Sequence, residues 1–287
     1  MATLAVRDLY GLFGDPVDHS LSPEIQATAF ATLARQSAYL PFHVRPDQLE
    51  AAFAAARTLG MRGFNVTIPH KERAAELVDS LEGDAARIRA VNVVVQRDGK
   101  LVGHNTDTLA VTKALDRLKY NVEGQRALVL GAGGAARAAA YALGRAGVSE
   151  LVVANRTFSR ARDLCNLLSG LGIEAVAAPL SPGAMRELLP MSQIVINATS
   201  VGLKAPDESP LPANAPFDSN AVAIDMIYRP LKTRFLHQAR EHGLQTVDGI
   251  DILVHQGIGA LSIWLSRPLD AARLFPAMRA AALEALL

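Results

Sequence analysis

The chain has 287 residues, half of them hydrophobic, with 29 Lys and Arg set against 28 Asp and Glu. That length can bury a sizeable core without covalent staples and favours two domains over one, and a formal charge of +1 provides no field that would select nucleic acid or an anionic membrane as partner. A lone cysteine, Cys165, excludes an intramolecular disulfide and a thiolate metal cluster; with charges in the first residues and no stretch of membrane-spanning length, a cytoplasmic protein is predicted.

Short apolar, β-branched runs alternate with Ala- and Leu-rich amphipathic stretches, the pattern of an α/β fold layered around mainly parallel strands. Strands are predicted at 9–14, 38–44, 63–68 and 91–96, with helices at 23–36 and 47–59 between the first three. Ser22 and Pro23 suit the N-cap and first position of the earlier helix. Arg97-Asp98-Gly99-Lys100 reads as a hairpin turn into a strand at 101–104, and a helix follows from Asp107 to Lys119. Beyond it come strands at 126–130, 151–154, 174–177, 194–197, 222–225 and 245–247, an amphipathic helix at 159–168 holding Cys165 as a packed thiol, and a Pro-rich loop at 205–217. From Ile252 the chain is helical and is expected to pack back on the first domain.

The strand Ala127-Leu128-Val129-Leu130 runs into Gly131-Ala132-Gly133-Gly134-Ala135-Ala136 and then an Ala-rich helix. This is G-x-G-x-x-A in the strand–turn–helix context that a dinucleotide-binding Rossmann unit requires. Gly131 permits the tight turn, Gly133 lets a pyrophosphate approach the backbone, Ala136 keeps helix and strand close, and the helix N-terminus offers N–H donors to phosphate. The end of the next strand selects the nucleotide. An NAD site places a carboxylate there for the ribose hydroxyls, whereas Asn155-Arg156-Thr157 stands here. Arg156 can stack on adenine and pair with a 2′-phosphate, and Arg160 can add a second contact, so NADP is the expected cofactor.

Three polar motifs mark the first half. Gly14-Asp15-Pro16-Val17-Asp18-His19-Ser20-Leu21-Ser22-Pro23 sets two hydroxyls at i and i+2 ahead of a helix, a compact receptor for a carboxylate; alone, it would read as a turn and an N-cap. Gly63-Phe64-Asn65-Val66-Thr67-Ile68-Pro69-His70-Lys71 ends a strand with Asn, Thr and Lys, and Gly103-His104-Asn105-Thr106-Asp107 ends another with Asn, Thr and Asp. Together with Ala90-Val91-Asn92, Asn155-Arg156-Thr157, Asn197-Ala198-Thr199-Ser200-Val201-Gly202, Asp225-Met226-Ile227-Tyr228-Arg229-Pro230, Gln256 and Trp264, these motifs give a chain that resembles the shikimate dehydrogenase family, quinate/shikimate dehydrogenases included, over nearly its whole length.

The resemblance implies an N-terminal α/β substrate-binding and catalytic domain, residues 1–107 with 252–287, and a Rossmann-type doubly wound NADP-binding domain, residues 108–251. It implies that Ser20 and Ser22 bind the substrate carboxylate, with Tyr228 near it, and that Asn65, Thr67, Asn92 and Gln256 hydrogen-bond ring hydroxyls. Lys71 and Asp107 are implied as the catalytic pair. Cofactor contacts are implied at Gly131, Gly133, Gly134, Ala135, Asn155, Arg156, Thr157, Arg160, Thr199, Met226 and Gly249. The reaction implied is reversible NADPH-dependent reduction of 3-dehydroshikimate to shikimate, in aromatic amino-acid biosynthesis, by a monomer or homodimer.

Residue chemistry points the same way. Hydride delivery to a ketone leaves negative charge on oxygen, which needs a donor or acid; Lys71 can supply it, and the sequence offers no metal-ligating cluster for that task. Two assignments stay open: Lys71 as the proton donor oriented by Asp107, or the pair relaying the proton jointly. His19 and His70 are expected to serve as scaffold or solvent contacts. The chain departs from the family pattern at Val93, Ala110, Arg234, Asp251-Ile252 and Leu261, which leaves shikimate, quinate or a related hydroxylated cyclohexene carboxylate as candidate substrates. A catalytically silent metabolite-binding protein is the alternative from another class.

Overall fold

A computed structural model describes residues 6–287. The chain forms two compact units, one comprising the residues up to Thr106 together with Val254–Leu287, the other Asp107–Leu253.

In the first unit β1 (Asp8–Gly14), α1 (Ser22–Thr32), β2 (Ser37–His43), α2 (Leu49–Thr58), β3 (Gly63–Val66), α3 (Lys71–Leu77), β4 (Ser80–Leu81), α4 (Asp84–Ile88), β5 (Val93–Arg97) and β6 (Lys100–His104) follow in order. Their sheet runs β2-β1-β3-β5-β6-β4. The expected parallel arrangement holds for β1, β2 and β3, but β5 runs antiparallel to β3 and β6 antiparallel to β5. The tight turn at Asp98 and Gly99, both with positive φ, joins neighbours that can only be antiparallel. One face of the sheet carries an aromatic core in which Phe13 stacks on Phe64 at 4.4 Å and Phe53 meets Phe64 edge-on at 5.0 Å. On the other, the Trp264 indole lies against Tyr10 at 4.8 Å and donates to the Val94 carbonyl at 2.9 Å.

Three local expectations are corrected. Ser22 is the first helical residue of α1 rather than its cap; Leu21 holds that position without a side-chain bond, and the Ser20 hydroxyl instead accepts the Ser22 N–H. Pro46–Gln48 form a 3₁₀ turn before α2. Lys71 does not end a strand: β3 stops at Val66 and Lys71 opens α3.

The second unit contains α5 (Asp107–Leu118), β7 (Arg126–Leu130), α6 (Gly134–Arg145), β8 (Glu150–Asn155), α7 (Phe158–Ser169), β9 (Val176–Pro179), α8 (Pro182–Leu188), β10 (Ile194–Asn197), β11 (Val222–Asp225), α9 (Arg234–Glu241) and β12 (Gln245–Val247). Its sheet order is β12-β11-β10-β7-β8-β9, every pair parallel. This is the doubly wound Rossmann order, with its switch point between β7 and β10. Leu128, Leu130, Val152 and Val195 of these strands lie in a buried core with Phe235 and Leu236 of α9, as the continuous apolar strands of a sheet covered on both faces demand.

α10 (Gly249–Trp264) carries the chain across the division and α11 (Ala271–Glu284) packs on α1. α10 starts three residues ahead of the expected Ile252 because the Asp248 carboxylate accepts the N–H groups of Ile250 and Asp251 at its first turn, as an N-cap does. Among the described residues no helix is long and apolar enough to cross a membrane.

Candidate active site

Strand direction explains why distant motifs converge in the first unit. β1 and β3 are parallel neighbours, so the segments beginning at Gly14 and Thr67 leave one sheet edge. Antiparallel β5 starts at that edge and β6 ends there, with Asn65 paired to Val93 and Val93 to His104. The Asp15 N–H donates to the Ile68 carbonyl at 3.0 Å, and a Cβ on Gly14 would collide with the Thr67 methyl. The serine and Asn-Thr-Lys segments are therefore packed together.

A buried amide network follows. The Tyr39 hydroxyl donates to Asn65 Oδ1 at 2.8 Å, while Asn65 Nδ2 donates to the Asn92 carbonyl at 2.9 Å. Asn92 Oδ1 accepts the Thr106 N–H at 2.8 Å, and Asn92 Nδ2 reaches Thr106 Oγ1 at 3.0 Å and Gln256 Oε1 at 3.4 Å. The Thr106 hydroxyl donates to the Gln256 carbonyl at 3.0 Å. Main-chain groups have only one chemistry to offer, so they dictate which way the Asn65 and Asn92 amides point, and Asn92 Nδ2 in turn faces Gln256 Oε1. Asn65, Asn92 and Gln256 are thus brought together, with Thr67 half-buried on the same edge. Tyr39 and Thr106 received no role in the sequence; Thr106 stood inside a quoted motif, whereas Tyr39 becomes visible only through the register of β2, β1 and β3.

Ser22 is buried and Ser20 partly so. Lys71 is half-buried at the start of α3, its carbonyl accepting the Val91 N–H at 2.8 Å. His70 is buried with its ring against the Val44 carbonyl at 2.6 Å, a scaffold role. Asp107 opens α5 in the second unit with its side chain buried.

In the second unit Gly131 has a φ of +114°, and a Cβ there would lie 2.8 Å from the Ala198 carbonyl oxygen; any other residue would be strained and would force the loops apart. Gly133 has nothing within 4 Å of a Cβ, and α6 begins beside it with no side chain capping its N–H groups. Gly134 and Ala135 form its first turn. Such uncapped donors next to open backbone suit a pyrophosphate. Arg156, Thr157 and Arg160 are exposed past the end of β8, and Asn155 Nδ2 closes the turn onto the Thr157 carbonyl at 2.9 Å.

Asn197 and Asp225, last residues of β10 and β11, are register partners and both fully buried. Asp225 accepts from Asn197 Nδ2 at 3.0 Å, the Ile227 N–H at 3.0 Å and the Thr233 hydroxyl at 2.5 Å. Burial outweighs these bonds and pushes its carboxyl up from 3.8 to about 6. A folded-state value above the unfolded one means that this group's contribution to stability is complete below about pH 4 and is lost as pH rises through about 6, worth about 3 kcal/mol. Asp225→Asn keeps the shape but cannot ionise. Relative to that variant, the parent is expected to lose stability between about pH 4 and about pH 6 and then level off; urea midpoints check this, and a constant difference contradicts it.

Met226 donates its N–H to the Asn197 carbonyl at 3.0 Å, Thr199 is half-buried on the β10 loop, and Tyr228 is half-buried after β11. Gly249 lies so close to Ile227 and Tyr228 that a Cβ would strike their backbone. The departure at Asp251 is met locally: its buried carboxylate pairs with Arg117 of α5, which supplies the compensation a buried charge requires. Cys165 is buried, and desolvation raises its thiol, consistent with a packing role.

Residues 12–94 match the model of the shikimate dehydrogenase substrate binding domain and residues 112–208 that of shikimate / quinate 5-dehydrogenase. Shikimate dehydrogenase (NADP(+)) of Rubrobacter xylanophilus is 46% identical over 259 residues, 89% of this chain and 90% of that protein. The crystal structure of shikimate 5-dehydrogenase from Thermus thermophilus in complex with NADP(H) and shikimate superposes with a TM-score of 0.83 at 38% identity, covering 96% of this chain and 100% of that one. Quinate dehydrogenase from Corynebacterium glutamicum in complex with NAD gives a TM-score of 0.85 at 28% identity, covering 96% and 99%. By whole-length identity, matched domains and fold, the chain belongs to the shikimate dehydrogenase family.

Proposed function

We propose that the protein catalyses the reversible, NADPH-dependent reduction of 3-dehydroshikimate to shikimate, as a cytoplasmic enzyme of aromatic amino-acid biosynthesis acting as monomer or homodimer. The observation that carries this reading is the gathering of the Ser20/Ser22 segment, Thr67 and the Asn65–Asn92–Gln256 amides on one sheet edge, in a chain of this family. Hydroxyls beside a helix start suit a carboxylate, and ordered amides suit ring hydroxyls. In this reading the residues up to 107 with 252–287 form the substrate domain, 108–251 hold the dinucleotide, and Tyr228 is placed near the substrate carboxylate.

Gly131, Gly133, Gly134 and Ala135 cradle the pyrophosphate, Asn155, Arg156, Thr157 and Arg160 take the adenosine 2′-phosphate end, and Thr199, Met226 and Gly249 line the nicotinamide end. NADP(H), when held there, would supply the hydride chemistry. Lys71 and Asp107 handle the proton: in reduction Lys71 gives it to the carbonyl oxygen as charge develops there, and in oxidation it takes it from the hydroxyl. Asp107 either orients the ammonium or shares the proton with it.

Expression in a bacterium that lacks its own shikimate dehydrogenase tests the assignment. Growth without aromatic amino acids is expected; soluble protein without growth would remove the proposal and leave a silent binding protein.

A further inference from the structure

Asn197 and Asp225 are not among the residues assigned to either ligand, yet they spend a buried carboxylate and a buried amide at the carboxyl edge of the second sheet, where ligands of doubly wound folds bind. Desolvating both is costly unless their bonds hold something that matters. They do hold two loops. Asn197 Oδ1 accepts the Thr199 N–H at 3.1 Å and the Thr199 hydroxyl at 2.7 Å, and Thr199 Oγ1 in turn accepts the Val201 N–H at 3.1 Å. The same stretch presents the Ala198 carbonyl and the Thr199 nitrogen to Gly131 across the switch point.

On its far side Asp225 fixes the start of the β11 loop through the Ile227 N–H, and Thr233 ties it to α9, whose Leu236 N–H is capped by the same hydroxyl at 3.2 Å. A continuous string of bonds thus runs from the N-terminus of α9 through Asp225 and Asn197 to the backbone opposite the glycine turn. Its middle member, Asn197, can bond both ways only with Nδ2 toward the carboxylate and Oδ1 toward Thr199. Replacing Asp225 by an apolar group leaves Asn197 Nδ2 buried without its acceptor, so the amide is no longer anchored from the β11 side.

We propose that Asp225 is a positioning residue for the dinucleotide: by anchoring Asn197 it holds the loop of Ala198, Thr199 and Val201 beside Gly131, where that loop lines the cofactor. This rests on the reading that the second unit binds NADP. The two failures are separable, because NADP⁺ binding by the parent protein tests that reading and the variants test the role of Asp225.

The experiment is calorimetric titration of the full chain with NADP⁺ and separately with shikimate, alongside thermal midpoints. Asp225→Ala is expected to weaken NADP⁺ about tenfold, the effect of leaving a buried partner unpaired, while the shikimate Kd stays within twofold. Asp225→Asn, which keeps an acceptor toward Asn197, is expected to recover most of the loss, an outcome that a need for bulk alone does not predict. Should Asp225→Ala fail to fold, Thr233→Val keeps the side-chain shape, removes the hydroxyl that holds Asp225 from α9 and is expected to weaken NADP⁺ severalfold. An unchanged NADP⁺ Kd in a folded Asp225→Ala protein, an equal loss for both ligands, or an unchanged Kd in Thr233→Val where that variant stands in, would overturn the proposal.

Discussion

Replacing Lys71 by Ala is expected to lower kcat roughly a hundred- to ten-thousand-fold while the KM for shikimate changes only severalfold, because a general acid or base contributes mainly in the transition state. Lys71 stands half-buried at the first position of α3, on the sheet edge that gathers the serine segment and the amides. In the proposed reading its removal takes away the proton donor without removing the groups that would grip the ring and carboxylate. Steady-state rates in both directions check this, with NADP⁺ affinity measured alongside to confirm an intact second unit. An unaltered kcat removes Lys71 from the chemistry. Asp107→Asn separates the two proton assignments: a pair that shares the proton loses kcat about as severely as Lys71→Ala, whereas an orienting carboxylate leaves Lys71 able to donate and costs less.

Arg156→Ala has the next largest expected effect. Arg156 stands exposed past the end of β8, where a carboxylate would receive the ribose of NAD. Losing a charge-assisted contact to the 2′-phosphate is worth about 1.5–3 kcal/mol, so the KM for NADP⁺ should rise roughly ten- to a hundredfold while that for NAD⁺ barely moves. Because the contact is solvent-exposed, the parent's preference for NADP⁺ should also shrink as salt is raised. Equal losses for both nucleotides, or none, would move the selectivity away from this residue.

Local patterns made much of the fold legible. The strands at 194–197, 222–225 and 245–247 are short apolar runs between polar turns, and their bounds agree with β10, β11 and β12. The glycine turn and the turn at Asp98-Gly99 were readable because positive φ restricts the residues that fit. β9 begins two residues later than expected, and the short helices α3, α4 and α8 span too few turns to show a 3.6-residue period. What stayed hidden depends on pairing at a distance. Tyr39 meets Asn65 across 26 residues and Asn197 meets Asp225 across 28, contacts created by strand register rather than by neighbouring residues. The Asn-Ala-Thr-Ser stretch carried one usable signal, since an Asn two residues before a Thr at a strand end predicts the side-chain turn that Asn197 makes. The Arg117 and Asp251 pair was likewise unreadable, as its members are 134 residues apart.

Initial rates of shikimate and quinate oxidation with NADP⁺ and with NAD⁺ decide whether the protein is a shikimate dehydrogenase that uses NADP. Shikimate with NADP⁺ is expected to give the highest kcat/KM of the four combinations, and 3-dehydroshikimate the product. Turnover of quinate or an amino analogue without turnover of shikimate, or a preference for NAD⁺, would rule that assignment out.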